Sequence, residues 1–344
     1  MVNQKSQNAF PSRGSLLRGG PRAFLLPVTG QPQASFGVAN HRLLPNGLPT
    51  SIPNATIWCS MTSANPQPSA TSRPRVGIPW RTSAEEEKAA NGGPTGKTED
   101  YLKAVERAGG EGLLIPLKDQ VARNRMIPTL DAFVLPGSPA DVAPSEYGAV
   151  DRGLSEPPDI AREETDRSIL EFALDRKKPV LAICYGCQLL NVYQGGTLIQ
   201  DLRAETGTAT PHRKKDVGPE AKDDPIHSAT FEPGSRIASM AGGAEAAVNS
   251  SHHQAIANPG KNLRITSRAS DGTVEAVEWT GDSNWVVGVQ WHPERMPEDP
   301  LAQRLFREFV AAARARCTPL NCAAGPASPS SEARNLSSSW KVKQ

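Results

Sequence analysis

Lys178-Pro-Val-Leu-Ala-Ile-Cys-Tyr-Gly-Cys-Gln-Leu-Leu-Asn-Val-Tyr193 decides the fold. Four apolar residues, Val180 to Ile183, follow a proline, the pattern of a short strand buried on both faces. The spacing then turns helical, with Leu189, Leu190 and Tyr193 on one face. Cys184 stands at the joint. There its sulfur would lie at the top of a sheet and at a helix N-terminus, where free N–H groups and the helix dipole stabilise a thiolate. Gly186 lets strand and helix pack closely through a sharp turn, a thiol version of the nucleophile elbow. Two other readings stay open at this point. Free cysteines are often inert packing, and Cys184-Tyr-Gly-Cys187 also fits a redox pair or half a zinc site.

Outward from that stretch, the chain reads as alternating strands and helices. Arg75–Trp80, Gly112–Leu117 and Asp131–Leu135 are expected strands, and residues 84–98 an expected loop. Glu99–Ala108 and Asp159–Asp175 are expected helices. Continuous apolar strands in β-α-β order predict an α/β fold, a flavodoxin-like, doubly wound, mostly parallel sheet. Ligands of such sheets lie at the carboxyl ends of the strands, where Cys184 and the turn Leu135-Pro-Gly-Ser138 both fall. Residues 203–225 form a long polar segment expected to be a lid, a binding loop or disordered. Alternating patterns then predict antiparallel strands at 226–231, 246–249, 263–268, 274–279 and 285–291. A last helix is expected over 301–314.

Val286-Val-Gly-Val-Gln-Trp-His-Pro-Glu294 closes the final strand. In extended backbone His292 and Glu294 point the same way, so the carboxylate can fix the imidazole tautomer and raise its basicity. The bland alternative is a surface histidine in a proline turn.

The ends differ from the middle. Residues 1–74 carry ten prolines, six Lys or Arg and no acid, the first acidic residue being Glu85. Taking those six bases from the chain's 38 leaves 32 against 36 acids, so the region from 75 onward has no basic excess to neutralise phosphates. No nucleic-acid partner is expected. The apolar run Ala23–Val28 is too short for a membrane span or secretory signal, so no membrane role is expected. The leader is read as disordered, either a transit peptide or sequence upstream of a true start at Met61, and 316–344 as a disordered tail. Five scattered cysteines suit a reducing, cytoplasmic setting.

Ala182-Ile-Cys-Tyr-Gly-Cys-Gln188 and Gln290-Trp-His-Pro-Glu294 together resemble the class I glutamine amidotransferase superfamily. Leu135-Pro-Gly-Ser-Pro-Ala-Asp-Val-Ala-Pro-Ser-Glu-Tyr-Gly148, Asn191-Val-Tyr-Gln-Gly-Gly-Thr-Leu-Ile-Gln-Asp201 and Val248-Asn-Ser-Ser-His-His-Gln254 resemble its gamma-glutamyl-gamma-aminobutyrate hydrolase branch. The resemblance covers residues 75–315 and departs from the branch at Ala182 and Tyr185. It implies Cys184 as nucleophile, His292 as general base and acid, and Glu294 as its orienting partner. It implies an oxyanion hole from the backbone N–H groups of Gly137 and Tyr185, and substrate contacts from Gln188, Ser251 and His253. His252 is read as either substrate surroundings or a structural histidine. The implied substrate is a small gamma-glutamyl amide, in putrescine breakdown, with no cofactor and no metal. Two other functions are weighed: a glutaminase feeding ammonia to a synthetase, and a non-catalytic thiol protein. A homo-oligomer is compatible with all of them.

Overall fold

The computed structural model describes residues 73–281 and 284–316. Apart from residues 73, 74 and 316, the expectations for the leader, the Met61 start and the tail lie outside the described residues.

In chain order the first half comprises β1 (Arg75–Pro79), α1 (Ser83–Ala90), α2 (Thr98–Arg107), β2 (Glu111–Ile115), α3 (Gln120–Met126), β3 (Ala132–Leu135), α4 (Ile160–Asp175), β4 (Val180–Ile183) and α5 (Tyr185–Tyr193). The second comprises β5 (Thr197–Ile199), α6 (Leu202–Thr206), α7 (Lys214–Val217), β6 (Ile226–Phe231), α8 (Arg236–Ala241), β7 (Glu245–Asn249), β8 (Ala255–Asn258), β9 (Leu263–Ala269), β10 (Val274–Trp279), β11 (Val286–Val289) and α9 (Pro300–Arg316).

The main sheet runs β2-β1-β3-β4-β11-β10-β9-β6-β7. From β2 to β11 the pairings are parallel; from β11 to β7 they are antiparallel. β4 lies between β3 and β11, with Leu181 opposite both Val134 and Val287. Its side chains alternate between two cores. Leu181 and Ile183 join Ile78, Val134 and Val287 under α2, α8 and α9. Val180 and Ala182 join Phe133 and Leu135 under α4 and α5. Burying each such side chain contributes about 1.5–3 kcal/mol, so helices on both faces are what make a continuous apolar strand stable. β5 and β8 form a separate antiparallel pair.

The doubly wound, mostly parallel architecture and its antiparallel extension match the expectation. The stretch 84–98 does not: it begins with α1, capped by Thr82 accepting from the Glu85 N–H at 3.0 Å. None of the residues of α1 is buried, so it carries no apolar period to read. The 203–225 segment is also not wholly irregular, since it contains the end of α6 and all of α7. The final strand stops at Val289. His292 and Glu294 sit in the turn beyond it, where Pro293–Arg295 form one turn of 3-10 helix.

Candidate active site

Cys184 follows the last residue of β4 and caps α5, with φ +51° and ψ −108°. This conformation is unfavourable for a residue with a side chain, and strain of this kind costs on the order of 1–3 kcal/mol. Two contacts hold it. The Cys184 N–H donates to Val289 O at 2.8 Å, fastening the elbow to β11. Gly186 lies so near the neighbouring strand that a Cβ there would come within 2.3 Å of Leu135 O. The glycine is what allows this crossing. Cys187 belongs to the opposite core and packs against Gly288, where an added Cβ would meet its Sγ at 2.8 Å. Burial, then the charges of Cys184 and Glu275, push the Cys187 thiol well up, favouring its neutral form. The two cysteines thus serve different layers.

Because β11 is hydrogen-bonded beside β4, the turn after β11 delivers His292 to Cys184. Asn249, last in β7, clamps the histidine main chain from both sides: His292 N–H donates to Asn249 Oδ1 at 2.9 Å, and Asn249 Nδ2 donates to His292 O at 3.1 Å. His292 Nδ1 lies 2.7 Å from Glu294 Oε1. The expected pair therefore meets, but through a turn rather than along a strand. Burial lowers the His292 pKa, while the Glu294 carboxylate and Cys184 outweigh it and raise the net value. For Glu294 burial works upward, and His292 and Arg295 bring the carboxyl below its ordinary value. His292 Nε2 is buried without a nitrogen or oxygen partner among the described residues.

Gly137 sits between these groups. A Cβ on it would come within 2.8 Å of His292 Cε1, 3.2 Å of Tyr101 Oη and 3.3 Å of Cys184 Cβ. Its N–H, the expected oxyanion donor, donates to Tyr101 Oη at 3.0 Å. The turn is held by buried cations: Arg81 Nε donates to Gly137 O at 3.0 Å, and Arg162 Nη2 to Pro136 O at 2.5 Å. Arg162 also pairs with Asp166 at 2.9 Å and stacks 5.1 Å from the centre of the Tyr185 ring. No described residue accepts a hydrogen bond from the Ser138 N–H. Tyr185, at the start of α5, has no helical acceptor for its own.

A cavity of about 410 Å³ opens over Cys184 and His292. Gln188, Ser251 and His253 line it. Gln188 Nε2 is committed to Gln254 O at 3.0 Å and Gln290 Oε1 at 3.3 Å. His253 lies 2.9 Å from Asp141 and 3.3 Å from Asp201; burial opposes its charge, but these carboxylates raise its pKa overall. Arg81, Arg213 and Arg295 also face the cavity and are paired with acids. Lys97 and Lys215 face it with no ion pair to any described acid. Arg295, burial and Arg81, in that order, hold the Lys97 pKa below its usual value. Asn249, Tyr101 and Arg162 were not singled out from the sequence as site residues. Asn249 lies within a quoted motif; the other two read as one aromatic and one charge on ordinary helices.

A buried thiol at a strained elbow, an imidazole delivered beside it and a carboxylate on its far nitrogen define an acyl-transfer hydrolase of glutamine-amidotransferase type. Residues 74–294 match the family described as Peptidase C26, and the chain belongs to it. It is 35% identical over 219 residues to the gamma-glutamyl-gamma-aminobutyrate hydrolase PuuD of Escherichia coli K12, covering 62% of this chain and 85% of that one. A Schizosaccharomyces pombe protein provisionally named a glutamine amidotransferase is 32% identical over 220 residues, 63% of this chain and 83% of its own. In fold, the chain is similar to a solved Thermoplasma acidophilum protein described as a GMP synthase subunit. That likeness has a TM-score of 0.50 at 13% identity, over 71% of this chain and 96% of that one. Among the described residues no helix is long and apolar enough to cross a membrane.

Proposed function

We propose that this chain hydrolyses the γ-amide of a γ-glutamyl compound bearing a second, distal carboxylate, with gamma-glutamyl-gamma-aminobutyrate as the substrate and glutamate and γ-aminobutyrate as products. Such a reaction would serve putrescine breakdown in the cytoplasm. One observation carries the substrate choice: Lys97 and Lys215 border the cavity over Cys184 without acidic partners. Lys97 moreover lies among like charges, and an incoming carboxylate would relieve that repulsion. Glutamine, lacking the distal carboxylate, would leave at least one of these lysines unanswered. The 35% identity with the Escherichia coli hydrolase supports the same reading.

In the reaction the Cys184 sulfur attacks the γ-carbonyl carbon, and the carbonyl electrons move to oxygen. The Tyr185 N–H and the Gly137 N–H receive that oxyanion, the Gly137 N–H turning to it from the Tyr101 hydroxyl. His292, as imidazolium, gives its proton to the leaving amine as the C–N bond breaks, leaving a γ-glutamyl thioester on Cys184. Neutral His292 then takes a proton from water, which attacks the thioester, and the thiolate departs as glutamate forms. Glu294 keeps the Nδ1 proton in place throughout.

Amine release from gamma-glutamyl-gamma-aminobutyrate, glutamine and γ-glutamyl ethylamide tests this. The expected result is Cys184-dependent turnover with preference for the first, and loss of that preference, through KM, in Lys97→Gln and Lys215→Gln. Turnover of glutamine alone would overturn the substrate choice and favour an ammonia-supplying role. Turnover unchanged in Cys184→Ala would overturn the chemistry.

A further inference from the structure

Away from the triad, three imidazoles and a carboxylate converge at a point that the reaction does not use. Glu275, on β10, is completely buried. Its Oε1 lies 3.4 Å from His227 Nε2, 3.7 Å from His212 Nδ1 and 3.7 Å from His252 Nε2. Neither Glu275 oxygen has a hydrogen-bond partner among the described residues, and neither do His227 Nε2 and His252 Nε2. A buried carboxylate left this way is strongly unfavourable unless a cation answers it.

The outward nitrogens fix the tautomers. His252 Nδ1 lies 2.9 Å from Gln254 O, and His227 Nδ1 lies 3.2 Å from Ser228 O. A carbonyl only accepts, so both Nδ1 atoms carry the proton. His212 Nε2 lies 2.9 Å from Asp271 Oδ2, a carboxylate oxygen that also accepts from the Thr208 hydroxyl. That nitrogen is likewise the donor. His212 Nδ1 is 3.3 Å from Ser250 Oγ, but that hydroxyl donates to His212 O at 3.0 Å. All three inward nitrogens therefore present lone pairs to one another and to Glu275. Lone pairs converge in this way around a metal ion, and each imidazole has the outer partner that metal-bound histidines have.

We propose that His212 Nδ1, His227 Nε2, His252 Nε2 and Glu275 Oε1 form a four-coordinate zinc site. Three imidazole nitrogens and one carboxylate oxygen suit zinc best among the divalent ions. The four donor atoms lie within 4.8 Å of one another, and a tetrahedral zinc with bonds of about 2.0–2.1 Å holds its donors about 3.3 Å apart. The contacts to Glu275 need contract only slightly. With four protein ligands the shell is closed, so the metal has a structural role. It joins the segment before α7, strand β6, the loop between β7 and β8, and strand β10. One of its ligands, His252, itself lines the cavity between Ser251 and His253, and another, His212, directly precedes the lining residue Arg213. Zinc here would set one wall of the substrate cavity without touching the reacting atoms.

The test is metal analysis of the full chain without a polyhistidine tag, incubated with zinc chloride and then dialysed exhaustively. The expected result is close to one zinc per chain in wild type and in Cys184→Ala, and less than a tenth of that in Glu275→Gln and His227→Gln. X-ray absorption at the zinc edge of the wild-type protein should give a shell of three nitrogens and one oxygen, which needs no variant to fold. Stripping the metal with a chelator should lower Tm by several degrees, and adding zinc should restore it. Less than a tenth of a zinc per chain in the wild type would overturn the proposal and leave a shared proton in the cluster. So would a sulfur-containing shell, or a zinc content indifferent to the Glu275 and His227 substitutions in folded protein.

Discussion

The main-chain N–H of Gly137 donates to the Tyr101 hydroxyl at 3.0 Å, and that hydroxyl also helps hold Glu294 in its charged form. One side chain on α2 thus bears on both the turn beside Cys184 and Glu294. Removing the oxygen leaves a buried N–H unpaired, at a cost of about 1–3 kcal/mol. Tyr101→Phe is expected to lower kcat roughly tenfold with little change in KM, and to reduce unfolding free energy by about 1–2 kcal/mol. Steady-state kinetics beside urea denaturation will separate the two effects. An unchanged kcat would mean that the hydroxyl serves stability alone.

Gly137→Ala tests the crowding at the same turn. The new methyl would fall 2.8 Å from His292 Cε1, in a region of rigid side chains and backbone. Displacing a catalytic imidazole by about 1 Å is worth roughly 10²-fold in rate, so kcat is expected to fall by that order. Circular dichroism should show the fold retained. Near wild-type kcat would show that the turn can yield.

Glu294→Gln should alter the pH profile as well as the rate. The Glu294 charge contributes to the raised His292 pKa, opposing the larger effect of burial. Amine expulsion needs His292 protonated, so the alkaline limb of kcat/KM reports its deprotonation. Losing the carboxylate lowers the His292 pKa. The limb should therefore move to lower pH, with a loss of about 10²-fold or more at the optimum. A limb that stays in place would assign it to another group.

Arg162→Met leaves Asp166, itself fully buried, without its cation and the Pro136 carbonyl without a donor. Breaking a buried pair from one side costs about 3–5 kcal/mol, and the variant should show a loss of that order in urea denaturation. Arg162→Met combined with Asp166→Leu should recover part of it.

The central strands were legible because β3, β4 and β11 are buried on both faces and therefore written in uninterrupted apolar residues. Cys184, His292 and Glu294 were legible for a related reason: the elbow and the strand-ending turn need particular residues in a fixed local order. α1 was not, since a helix with no buried residue shows no apolar face. The hydrogen bond from the Gly137 N–H to Tyr101 was not legible, because its partner lies 36 residues away and no local pattern indicates it. The His212, His227, His252 and Glu275 cluster was hidden for the same reason, its members coming from four separate segments.

β4 and β11 are neighbours in the sheet, yet their reactive residues, Cys184 and His292, are separated by most of the second half of the domain. A growing chain that has folded only as far as β4 carries its thiol on an open sheet edge, with no imidazole beside it and no Val289 carbonyl to fasten the elbow. The meeting of thiol and imidazole thus requires β11 to be inserted between β4 and β10, so the cluster is complete only once almost the whole domain has been made.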